Sequence, residues 1–211
     1  MDTRRSARRH RRLQKIAAVL AAGVVLGVGS IATIAAWTDN ENATGSFGAS
    51  IFDTESQSAG SPAYASRPTA PGATLTFNAT AMSPSTSYFA WLNIRTTTTT
   101  TVGGNVTLTG AAATGTLAPA LQYRLIRLGG VGSAANCVST AFTAGSVYLA
   151  GSSTTYSTVT TVPASPLANP IGASGAELGF CVEVRVAAGS ANTYQGQTAT
   201  VTWTFTATSA D

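Results

Sequence analysis

Residues 197–211 read QTATVTWTFTATSAD, and the alternation in them is strict. Ala199, Val201, Trp203, Phe205 and Ala207 fall on one face, and Thr198, Thr200, Thr202, Thr204 and Thr206 on the other. A repeat of two residues cannot present one face as a helix, whose repeat is 3.6. It is the pattern of a half-buried antiparallel strand. The segment LGFCVEVRVA behaves likewise: Phe180, Val182, Val184 and Val186 point in, while Glu183 and Arg185 share the opposite, solvated face.

Further strands are expected over 45–53, 73–78, 87–101, 104–110 and 121–128, with short pieces near 145–149 and 154–161. Gly103-Gly104 reads as a two-residue hairpin turn between threonine-rich arms. The six threonines 96–101 read as an extension of the strand before that turn, because threonine is a good strand residue. Segments 56–72 and 163–176, rich in Pro, Ser and Gly, read as loops. No helical period occurs after residue 36. Many short strands separated by turn signals predict an all-β, antiparallel β-sandwich or jelly roll.

The first 36 residues are of another kind. Residues 1–15 carry seven cations against Asp2, a net +6, and residues 16–36 are uncharged and apolar. This is the three-part layout of an export signal, which places the arginines in the cytoplasm and the remainder outside. The apolar stretch is also just long enough to span a bilayer, which takes about 20 residues. Its Ala, Gly and Val content is weakly apolar for a permanent anchor, and Thr33 and Ala35 are small residues at the third and first positions before a cut. Cleavage between Ala35 and Ala36 is therefore favoured, with retention as an anchor the alternative. The division is 1–35 signal peptide (basic 1–15, apolar 16–35) and 36–211 a single domain. The arginine pairs lack the other residues of a twin-arginine signal, so the general secretion pathway is expected.

The chain's net +4 averages two unlike parts, for residues 36–211 hold five arginines against seven acids, a net −2. A nucleic-acid partner is not expected, and contact with a membrane only through the N-terminal segment. After residue 36 there is no Lys and no His. That removes a histidine base, a histidine metal ligand, a lysine Schiff base and a Lys–Asn crosslink. No enzymatic activity, metal or other cofactor is expected. The sequons at Asn42, Asn78 and Asn105 are common by chance in a chain rich in Asn and Thr.

Two cysteines, Cys137 and Cys181, both lie in the exported part. An even count in an oxidising compartment favours one disulfide. Cys181 falls on the strand face opposite Phe180, so the bond is expected to tie that strand to the loop around 132–140, outside the main core. No Trp lies between the cysteines, which argues against an immunoglobulin-type pin.

The stretch IAAWTDNENATGSFGASIFD resembles the signal-peptide end of the SipW-dependent class of Gram-positive exported proteins, the group that includes TasA and camelysin. Ala36, Trp37, Thr38, Asp39, Glu41, Gly45, Phe47, Ala49 and Asp53 fit the order of that class. The closing TYQGQTATVTWTFTATSAD is similar to its last strand. The resemblance implies a jelly roll, cleavage between Ala35 and Ala36 by a dedicated signal peptidase, and, for the best-known member, assembly into matrix fibres. The proteolysis credited to camelysin-like members lacks the histidine that a zinc site of the His-Glu type needs.

The function expected is that of an extracellular, non-enzymatic structural protein of the cell surface or biofilm matrix. Its partners would be signal peptidase during export, then itself or other matrix proteins. Strand addition is the expected route of assembly, with Phe47, Ile51 and Phe52 as the candidate donor strand beside the new N-terminus. The alternative is a secreted binding module for glycans or surfaces that displays Trp37, Tyr64, Trp91 or Tyr194.

Overall fold

The structure, a computed structural model, describes residues 11–20, 46, 48–77, 79 and 81–210. The chain divides into two units, Met1–Phe47 and Gly48–Asp211. In the first, residues 11–20 are helical. No helix among the described residues is long and apolar enough to cross a membrane. Ala35, Ala36, Trp37, Phe47, Asn42 and Asn78 lie outside the described residues.

The second unit is an antiparallel β-sandwich. Its strands are β1 (Thr54–Ser58), β2 (Ser61–Ala65), β3 (Ser87–Thr96), β4 (Gly104–Thr114), β5 (Leu121–Arg127), β6 (Val147–Ala150), β7 (Ser157–Thr158), β8 (Asn169–Ile171), β9 (Glu177–Val186) and β10 (Thr200–Ser209). One sheet has the order β2-β1-β3-β9-β5-β6, with β7 also on β5, and the other has the order β10-β4-β8. The late strands β9 and β8 insert beside the early strands β3 and β4, the interleaving of a jelly roll.

The alternating pattern places the core. Phe180, Val182, Val184 and Val186 of β9 pack with Tyr123 and Leu125 of β5, Leu92 and Ile94 of β3, and Val106 and Leu108 of β4. Tyr123, Phe180, Leu108 and Leu125 are fully buried. Phe180 stacks on Phe205 of β10 with ring centroids 5.0 Å apart.

Several expected elements differ, each for a local reason. Gly103-Gly104 is not a hairpin turn, for β3 and β4 belong to different sheets. The glycine is needed for a close approach instead: a Cβ on Gly104 would stand 2.2 Å from the Thr208 carbonyl oxygen and 2.7 Å from the Phe52 ring.

Only Thr96 of the threonine run is in a strand. The rest cross between the sheets and tie down neighbouring chain. The Thr100 hydroxyl donates to the Asp53 carbonyl (2.9 Å) and accepts from the Asp53 N–H (3.2 Å). The Thr101 N–H donates to the Ile51 carbonyl (2.9 Å). Residues 48–53 are accordingly not a strand, and neither Ile51 nor Phe52 belongs to one: Ile51 is bonded to Thr101, and Phe52 packs on the main core. Residues 73–77 also form no strand, although Leu75 and Phe77 pack inward. Segment 56–72, expected as a loop, contains most of the β1–β2 hairpin, whose Ser58 hydroxyl donates to the Thr74 carbonyl (2.6 Å). The loop expected at 163–176 holds the three-residue β8.

Candidate functional site: the open edge of the sandwich

The small sheet has three strands and the large one at least twice that, so part of the large sheet's inner face lacks a strand over it. The consequence falls on β10. Val106 and Leu108 of its neighbour β4 are at most 1 % exposed. The inward residues of β10 itself, Val201, Trp203, Phe205 and Ala207, are only half-buried.

Beside them lies a groove of about 1180 Å³, walled by β10, the irregular segment 66–84 and the inner faces of β1 and β3. Trp203 stacks on Tyr123 (5.6 Å) and Phe77 (6.3 Å), and its indole N–H is shielded from water with no hydrogen-bond partner. Tyr194 also lines the groove.

As an edge, β10 stands apart from the others. β2 is five residues long and holds Pro62, β6 has four residues, and β8 has three including Pro170. Short length and proline blunt those edges. β10 runs for ten residues, TVTWTFTATS, with no charge, no proline and no glycine. It pairs with β4 on one side, through a bulge at Thr204/Phe205, and, among the described residues, with no strand on the other; β4 meets β8 only over residues 104–106, so its residues 107–114 are unpaired on that side too. Its outer face is a threonine surface on which Thr109 and Thr206 hydroxyls meet at 2.6 Å. A row of unpaired backbone groups beside an open groove is what an added strand requires.

The outer face of the large sheet carries the charge expected to be solvated, and it is not solvated. Glu183 is 1 % exposed. One carboxylate oxygen accepts from the Ser87 hydroxyl (2.5 Å) and the Tyr156 hydroxyl (2.6 Å), and the other from Arg124 Nε (2.5 Å). Arg124 in turn donates to the carbonyls of Ser152 and Ser153, which pins the loop carrying Tyr156. Burial, and then the hydrogen bond to Glu183, push the Tyr156 hydroxyl above its ordinary pKa. Arg185 lies over the Tyr156 ring at 3.4 Å. With Ser87, Tyr156 and Arg124 all bonded to one buried carboxylate, and Arg124 bonded on to the Ser152 and Ser153 carbonyls, this network holds loops together.

Cys137 and Cys181 form the expected disulfide, with Cα atoms 5.2 Å apart. It lies outside the main core, in a second cluster with Ile126 and Phe142, against which Phe89, Trp91, Leu128 and Tyr148 pack. Trp91 thus sits under the disulfide-bearing loop. Tyr64 lies beneath the Arg95 guanidinium (3.8 Å), and Arg95 is paired with Glu55 at 2.9 Å. The structure therefore joins Cys137 to Cys181 and separates Tyr64, Trp91 and Tyr194 into three different surroundings.

Sequence reasoning missed the Ser87–Glu183–Tyr156–Arg124 network. The only signal was Glu183 two residues from Arg185 on a strand, which reads as an ordinary exposed pair.

No protein-family model matches the chain, and neither does any curated protein or any solved structure.

Proposed function

We propose that the chain is an exported, non-enzymatic structural protein of the cell surface or an extracellular matrix, which self-assembles by strand addition at β10. The observation that carries this reading is the long, uncharged, proline-free edge of β10 beside an open groove of mixed polar and apolar lining. Soluble proteins ordinarily blunt such an edge, and one left open marks a docking site for another strand. The N-terminal layout of basic, apolar and small residues supports export, and a disulfide accords with an oxidising compartment. Ile51 and Phe52 are held within their own domain, which favours an edge-to-edge contact over donation of these two residues. The binding-module reading stands second, because Tyr64 and Trp91 are stacked or covered rather than displayed.

The test is to express the full chain in a Gram-positive host and measure, on one sample of the exported protein, its N-terminal residue, its mass and its size in solution. An N-terminus at Ala36 and species larger than a monomer are expected. Full-length protein retained in the membrane would overturn the cleavage. A monomer at every concentration would overturn self-assembly.

A further inference from the structure

We infer that the strand added to β10 is β10 of a second copy, paired antiparallel about a two-fold axis through Thr204. This rests on the reading that the protein self-associates, and it names the partner and the register.

The first argument is the contrast between edges. β2, β6 and β8 are short, and two of them contain proline. Among the described residues β10 is the edge strand open along its whole length, whereas β4 is free of β8 only over residues 107–114, a stretch that holds Gly110, and no backbone hydrogen bond joins β10 to segment 66–84. It has no charge, so a second copy brings no like charge against it.

The second argument is parity. A strand's side chains alternate, so a slip of one residue turns every side chain to the other face. To keep the groove face apolar, Trp203 must oppose an inward residue, so the axis passes through a residue rather than between two. β10 spans Thr200–Ser209, and an axis at Thr204 leaves all of residues 200–208 paired. In that register Trp203 faces Phe205 in both directions, Val201 faces Ala207, and Thr202 faces Thr206. Aromatic pairs across strands are among the stabilising ones.

The third argument is area. Nine paired residues make an edge about 30 Å long and about 10 Å deep, less than the roughly 800 Å² per partner of a standard interface. An edge of that size makes a weak dimer that forms as concentration rises, with the partly exposed Val201, Trp203, Phe205 and Ala207 along its inner face. The product is one sheet of six strands across two copies. Such a contact closes on itself, so growth into fibres would use a second surface.

Thr204 is exposed on the outer face, so a longer side chain there does not disturb the core. In Thr204→Lys two lysines meet at the axis, and in Thr204→Glu two glutamates do. Each variant alone is expected to associate about tenfold or more weakly than the parent in sedimentation equilibrium. Mixing the two is expected to restore the dimer. Independently, Thr204→Cys should give a covalent dimer under mild oxidation, whereas Thr208→Cys, which faces Thr200, should not. Association of Thr204→Lys equal to the parent, a mixture that stays monomeric, or no crosslink at Thr204→Cys would each overturn the β10 pairing. The first of these leaves self-association standing, whereas a parent protein that is monomeric throughout removes both.

Discussion

Glu183 shows how far one residue depends on what covers it. Its carboxylate is shut away from water and receives two hydroxyls and a guanidinium. Removing the charge while keeping the shape leaves Arg124 buried without a counter-charge, and breaking a buried pair from one side costs about 3–5 kcal/mol. Glu183→Gln should therefore lower the urea midpoint by an amount worth about 3 kcal/mol, a large part of a domain's stability of roughly 5–15 kcal/mol. The double variant Glu183→Leu with Arg124→Met should lose less than Glu183→Gln alone. Equal midpoints for Glu183→Gln and the parent protein would show the pair to be solvated. Gly179 makes the same point in backbone terms: a Cβ there would stand 2.2 Å from the Gly130 carbonyl oxygen and 2.5 Å from the Gly132 nitrogen. Only glycine lets the covering loop lie this close to β9.

At the scale of elements, the loop between β5 and β6 is a layer of its own. Asn93 of β3, itself buried, clamps it by accepting from the Gly132 N–H (2.6 Å) and donating to the Gly132 carbonyl (3.1 Å). The disulfide closes 44 residues of sequence between that loop and β9. Chain entropy puts the stabilisation from a closed loop of this length at about 4 kcal/mol, an upper figure. The double variant Cys137→Ala, Cys181→Ala should approach that loss in denaturant midpoint. Amide exchange should rise first in residues 128–146, while the amides that join β4 to β10 stay protected until global unfolding. Uniform loss of protection in both sheets would mean that the outer layer and the sandwich unfold as one unit. The pairing and its placement off the main core were legible, because Cys181 alternates with Phe180. The β1–β2 hairpin was not, because its Ser, Pro and Gly content is that of a loop and its pairing with β3 is non-local. The threonine run misled for a related reason: a hydroxyl that suits a strand also suits a crossing whose backbone must be bonded to distant segments.

At the scale of the whole molecule, two buried phenols set a limit on the alkaline side. Burial pushes the Tyr123 hydroxyl up to about 12, and burial, with Glu177 close by, does the same for Tyr64. In the unfolded chain a tyrosine titrates near about 10. Between these values the native protein holds protons that the unfolded chain has lost. Stability is therefore fully present below about pH 10 and falls as pH rises through about 12. The denaturant midpoint should be level from pH 7 to 9 and drop from pH 10 to 12. Tyr123→Phe should flatten part of that drop, at a cost of about 1 kcal/mol near neutrality for the hydrogen bond to the Thr161 carbonyl. A midpoint that stays level to pH 12 would contradict the assignment.

The same scale decides what β10 means. Its alternation, and that of β9, made a half-buried antiparallel strand readable from residue spacing alone, and with it the all-β sandwich, since side-chain direction in a strand is a local property. Whether the other face meets water is not local. The outer face of β9 is covered by a loop that begins beyond a neighbouring strand, and the inner face of β10 is left partly open because the small sheet ends there. Burial depends on which segments fold over which, so the buried charge of Glu183 and the open edge of β10 came only from the tertiary structure.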